Sequence, residues 1–190
     1  MSAASTITSH VDATWESEVL PSLMEYVAIP CVSVQFDDDW KANGFLDTAV
    51  EHIRAWCAAR RVQGLTVEVH ELPGRTPLIL CDIPAFMPES LSTSAHDTVL
   101  LYGHCDKQPE MTGWRDDLGP WKPVLENGRL YGRGGADDGY AAYAALLSIE
   151  AAQLAGLPHA RCVVLIEASE ESGSPDLPAY IDALADRIGS

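Results

Sequence analysis

A chain of 190 residues, 47% of them hydrophobic, is long enough to bury one sizeable core and too short for two ordinary catalytic domains. Its 28 acidic against 12 basic side chains leave a formal charge of −16, which repels nucleic-acid phosphates and anionic lipid headgroups and so excludes both as expected partners. The five cysteines include no CxxC pair and fit neither a zinc ribbon nor a disulfide framework, the first residues have neither the basic start nor the apolar core expected of a secretory leader, and no apolar run approaches membrane length, so a soluble, cytoplasmic protein is expected.

From Val11 to Ala28, apolar Trp15, Val19, Leu20, Leu23, Met24 and Val27 recur at helical spacing until Pro30 stops the pattern. A second helix is expected from Gly44 to Arg61, with Leu46, Ala49, Val50, Ile53, Trp56 and Cys57 on one side. Leu65 to Glu71 alternates as a strand does, and Pro77 to Ile83 is a short apolar run, so the two read as neighbouring strands. Pro84 to Asp97, without periodicity, reads as a surface loop, and Thr98 to Tyr102 as a strand running into Gly103. An irregular stretch from Pro109 to Pro120 leads to a hairpin turning at Asn127-Gly128. The Ala-rich run after Asp137 and Asp138, closed by Gly156 and Pro158, is the strongest helix signal in the chain. Arg161 to Ala168 reads as a buried strand and Pro175 to Ile188 as a last helix. Strands separated by helices indicate one α/β domain, with a mainly parallel sheet and flanking helices.

Three clusters follow strand-like segments: His104-Cys105-Asp106, Asp137-Asp138 and Glu170-Glu171. Ligands of α/β sheets gather beyond the carboxyl ends of the strands, so these three loops can converge on one site. One imidazole and several carboxylates suit zinc, manganese or cobalt. The His-x-Asp spacing lets Asp106 accept the second ring N–H of His104 and fix its tautomer. Of the two adjacent glutamates, one can hold a metal while the other takes a proton from the attacking water. Taken singly, each piece has an ordinary reading: a hydrogen-bonded histidine, a helix N-cap, a solvated loop. The glycines at 132–135 match neither GxGxxG nor GxxxxGK[ST], and Cys105, with no separate histidine placed to activate it, reads as a packing residue.

Together, YGHCDKQPE (102–110), Gly113-Trp114, LYGRGGADDG (130–139), EESGS (170–174) and IPCVS (29–33) resemble the M20 family of metallopeptidases, in particular its dipeptidase and carnosinase-like branch. The resemblance implies a zinc-peptidase-like catalytic domain and two divalent ions, zinc first, with manganese or cobalt as alternatives. His104 then serves one metal, Asp137 bridges both, and Glu171 serves the second; Glu170 matches the general base and Asp106 the residue that orients His104. It also implies a cis peptide bond after Asp137, and hydrolysis of dipeptides or short peptides.

The chain departs from the family pattern in two places. Where many relatives have Asp-Asp-Lys-Gly this chain has Asp137-Asp138-Gly139-Tyr140, so the lysine is absent, and this touches no metal ligand. The family's further acidic ligand and final histidine, and its insertion domain for dimerisation, would lie beyond Ser190. Residues 1–190 are therefore expected to be the N-terminal portion of one catalytic domain, inactive alone, from a parent protein that forms a homodimer. Two other readings share the same motifs: a non-catalytic chain acting only with a partner polypeptide, and a deacylase of N-acyl amino acids.

Overall fold

The computed structural model describes residues 2–88 and 97–189. Its first helix begins well before Val11. Helix α1 (Ala3–Thr14) is capped by the Ser2 hydroxyl, which accepts the Ser5 N–H at 3.2 Å, and it runs through a widened π-helical turn at Trp15–Val19 into α2 (Leu20–Ala28). Pro21 explains the widening: it lacks an N–H and its ring crowds the carbonyl four residues back, at Ser17 inside that turn. After a single turn, α3 (Trp40–Asn43), helix α4 (Phe45–Ala58) buries all six apolar residues that its spacing selects.

The main sheet has the order β1 (Thr66–His70), β2 (Leu78–Ile83), β6 (Arg161–Glu167), β3 (Thr98–His104). The α/β layering expected from sequence is present, but the sheet is mixed rather than mainly parallel. Only β3 and β6 run parallel, whereas β1 pairs with β2, and β2 with β6, antiparallel. The connection Glu71–Pro77 is too short for the crossover a parallel pair needs, so β2 must turn back along β1. The hairpin β4 (Val124–Glu126) and β5 (Arg129–Tyr131) turns where expected, with Asn127 at φ 52° and Gly128 at φ 74°, as a two-residue turn requires.

Alternation along the strands divides the core. Ile79, Cys81, Ile83, Val164 and Ile166 point into a large cluster with α2, α4 and the mostly buried α5 (Ala141–Leu154). Their neighbours Leu78, Leu80, Val163 and Leu165 face the opposite way, against Tyr180 and Leu184. These last two belong to the C-terminal segment, where the single expected helix is split into α6 (Leu177–Ala183) and α7 (Ala185–Ile188) around Leu184. Among the described residues no helix is long and apolar enough to cross a membrane. All five cysteines are buried and unpaired. Of the loop expected at 84–97, residues 84–88 and 97 are described, and Phe86 pairs with His159; the rest lies outside the described residues.

Because β3 and β6 are parallel and in register, their carboxyl ends lie side by side, His104 opposite Glu167. β3 is one of the two outer strands of the sheet, and Val99, Leu100 and Tyr102 are each nearly half exposed along it.

Candidate metal centre

His104 is the last residue of β3, and Gly103 before it lets the next helix come close. A Cβ at Gly103 would lie 2.5 Å from the Ala141 Cβ and 2.8 Å from Asp138 Oδ2, so the start of α5 can pack here only against glycine. That packing brings the loop ahead of α5 over the end of β3. The loop contains the Asp137-Asp138 peptide bond, which is cis as the resemblance implied. It is not helical at either aspartate, so the two are not the N-cap of α5.

His104, Asp137 and Glu171 each offer a ligand atom, and these atoms all lie within 4.8 Å of one another. This is the only such group of three among the described residues. His104 is buried; its Nδ1 faces the Asp106 carbonyl oxygen at 3.1 Å and the Asp106 carboxylate at 3.4 Å. In the neutral ring, a proton on Nδ1 leaves Nε2 free as a ligand atom, 3.3 Å from Asp137 Oδ1 and 3.6 Å from Glu170 Oε2. Burial works against protonation of the ring, but Asp106, assisted by Glu170, outweighs it and lifts the His104 pKa to about 9. Such an accumulation of carboxylates around one imidazole, with Asp137 largely open to solvent, is a donor set suited to a divalent ion of the zinc type.

Asp106 does more than meet the histidine. It is fully buried, and its two oxygens accept the backbone N–H groups of Glu170 at 3.1 Å and Glu171 at 3.0 Å. One side chain thus holds both the imidazole and the turn that carries the two glutamates. Burial, with Glu171 beside it, pushes the Glu170 carboxyl pKa up, and burial does the same for Asp138.

All five expected site residues, His104, Asp106, Asp137, Glu170 and Glu171, therefore meet at one place. Three further groups there were not anticipated. Gln108 donates to Glu171 Oε2 at 2.6 Å. Glu167, buried, accepts from the hydroxyls of Tyr102 (2.5 Å), Ser174 (2.8 Å) and Ser169 (3.1 Å), and so braces the loop after β6. Lys107, also buried, donates to the carbonyls of Tyr26, Val27 and Ile29, tying the end of α2 to the His104 loop. A glutamate closing the apolar run 162–166 is the only sequence signal for Glu167, and Lys107 and Gln108, in a polar stretch, carry none.

Residues 100–189 match the sequence profile of peptidase family M20/M25/M40. The human Beta-Ala-His dipeptidase is 30% identical over 179 residues, covering 92% of this chain and 34% of that protein. The Cys-Gly metallodipeptidase dug1 of Schizosaccharomyces pombe is 28% identical over 180 residues, covering 90% of this chain and 36% of its own length. The solved structure of the di-peptidase Dug1p from Saccharomyces cerevisiae matches with a TM-score of 0.72 at 24% identity, covering 98% of this chain and 39% of that one, a likeness of fold. The chain spans about a third of the length of the curated relatives it matches.

Proposed function

We propose, from the match of residues 100–189 to the sequence profile of peptidase family M20/M25/M40, that this chain is part of such a peptidase and supplies His104, Asp137 and Glu171 to a two-metal centre that hydrolyses dipeptides. The observation that carries the reading is the convergence of those three ligand atoms within 4.8 Å of one another, with Glu170 at 3.6 Å from His104 Nε2. Zinc suits the donor set first, and manganese or cobalt share its preference for imidazole and carboxylate. When bound, such ions polarise the scissile carbonyl and make an attacking water more acidic.

The chain's own residues divide the remaining work. Asp137 would be shared between the ions, with His104 serving one and Glu171 the other. Glu170 takes the proton of the attacking water and returns it to the departing amine; its raised pKa suits a group that must do both. Asp106 keeps base and ligands in register through its bonds to both glutamate amides. Gln108 fixes one oxygen of Glu171.

Three ligands divided between two ions, with one shared, give each ion two, whereas protein zinc is usually held by three or four. We infer that the remaining ligands come from further polypeptide, and the exposed apolar outer edge of β3 favours that reading as the place where it packs. On this account the 190-residue chain alone turns over slowly.

A panel of dipeptides and N-acyl amino acids, with added zinc or manganese, tests the proposal. Dipeptide cleavage should fall by about a hundredfold or more in Glu170→Ala while metal uptake is unchanged. Cleavage that survives the substitution would remove Glu170 from the mechanism, and a preference for N-acyl amino acids would replace the dipeptidase assignment with a deacylase.

A further inference from the structure

A second group of charged side chains gathers between α1, the end of α4 and the middle of α5. Glu150 lies nine residues along α5 from Ala141, roughly 14 Å from the helix end that borders the metal centre. The side chains of Glu150 and Arg60 are each only 8% exposed. His10 Nε2 sits 3.3 Å from Glu150 Oε1. Arg60 lies over the Trp56 ring at 4.2 Å and pairs with Glu18, but its other terminal nitrogen stops 3.9 Å from Glu150 Oε2.

The cluster is ion-paired, but its hydrogen bonding is incomplete. His10 Nε2, Arg60 Nε and Glu150 Oε2 are buried without a hydrogen-bond partner. Arg61, exposed beside them, has no ion pair among the described residues. Buried polar atoms in folded proteins are nearly always paired, so unpartnered ones grouped at one place point to a polar ligand. Two adjoining cavities open there, of about 240 and 450 Å³, and both have His10, Arg61 and Glu150 in their walls. The larger also has Phe86 and Leu154 in its wall, and its volume falls at the small end of the range for small-molecule sites.

Charge narrows the ligand. A simple anion meeting Arg61 would be repelled by Glu150, and a simple cation meeting Glu150 would be repelled by Arg60 and Arg61. A molecule with both signs and an apolar body meets neither objection. We propose that this cavity binds a free α-amino acid, its ammonium group on Glu150, its carboxylate on Arg61 and its side chain against Phe86 and Leu154. The site is separate from the metal cluster and its occupancy does not depend on hydrolysis.

The test is calorimetric titration of the 190-residue chain with L-leucine in the presence of EDTA, alongside Glu150→Gln, Arg61→Ala and Asp137→Asn. Saturable binding is expected in the wild type and, unchanged, in Asp137→Asn. Each of Glu150→Gln and Arg61→Ala should weaken it about tenfold or more, as should removal of one charge from the ligand, with isoamylamine or isocaproate in place of leucine. Arg61 is exposed, so its variant decides the matter if Glu150→Gln fails to fold. No saturable binding, binding that survives Arg61→Ala, or binding lost in Asp137→Asn would each overturn the proposal. Leucine binding without any dipeptide cleavage would leave this site standing and count against the hydrolytic reading alone.

Discussion

Asp106 shows how much of the candidate site rests on single residues. Its carboxylate serves the imidazole of His104 and two backbone amides at once, with no exposure to water. Asp106→Ala would leave those amides without their acceptor and take the carboxylate from the ring nitrogen, which keeps only the backbone carbonyl of residue 106, and the expected cost is about 2–4 kcal/mol, measured as a lower urea midpoint. Metal affinity should fall with it, by about tenfold to a hundredfold. Lys107 makes a different prediction. Burial depresses its pKa from 10.5 to about 8, so between those values the unfolded chain holds a proton that the folded chain has released. Stability from this group therefore rises with pH across that window and is lost as pH falls through about 8. Urea midpoints at the two ends of the window should differ less in Lys107→Met than in the wild type; an equal difference in both would contradict the assignment. At this scale the candidate ligands were legible because histidine and paired carboxylates after strands are chemically conspicuous. Gln108 was not, since a neutral amide acquires its meaning only from the Glu171 oxygen beside it.

Elements were legible where a period was present. The six apolar positions of α4 and the all-round apolar character of α5 both follow from spacing, and both are buried as that spacing requires. Strand direction was not legible, because alternation reads the same from either end; the antiparallel course of β2 depends on the short Glu71–Pro77 connection instead. Nor does anything in the sequence announce the break at Leu184, where neither proline nor glycine interrupts the pattern. The outer strand has a consequence of its own. Val99, Leu100 and Tyr102 present apolar side chains on an edge with no neighbouring strand among the described residues, the arrangement that templates association between sheets. Sedimentation velocity should show concentration-dependent self-association of the 190-residue chain, reduced by Leu100→Lys. A monomer at all concentrations would show that this edge is inert.

Across the whole molecule, the mixed sheet sets the carboxyl ends of β3 and β6 together, and the glycine at 103 admits the loop of Asp137 above them. Segments far apart in the chain thereby contribute one imidazole and several carboxylates to a common point. In a chain of charge −16, that point is where carboxylates are crowded most closely around a potential ligand nitrogen, and a divalent cation is the natural partner for it. The most direct test is titration of the 190-residue chain with cobalt(II), following the visible absorption of the bound ion, in the wild type and in Asp137→Asn. The account predicts saturable binding that weakens at least about tenfold when Asp137 loses its charge. Binding of equal strength in the two proteins, or none in either, would contradict it.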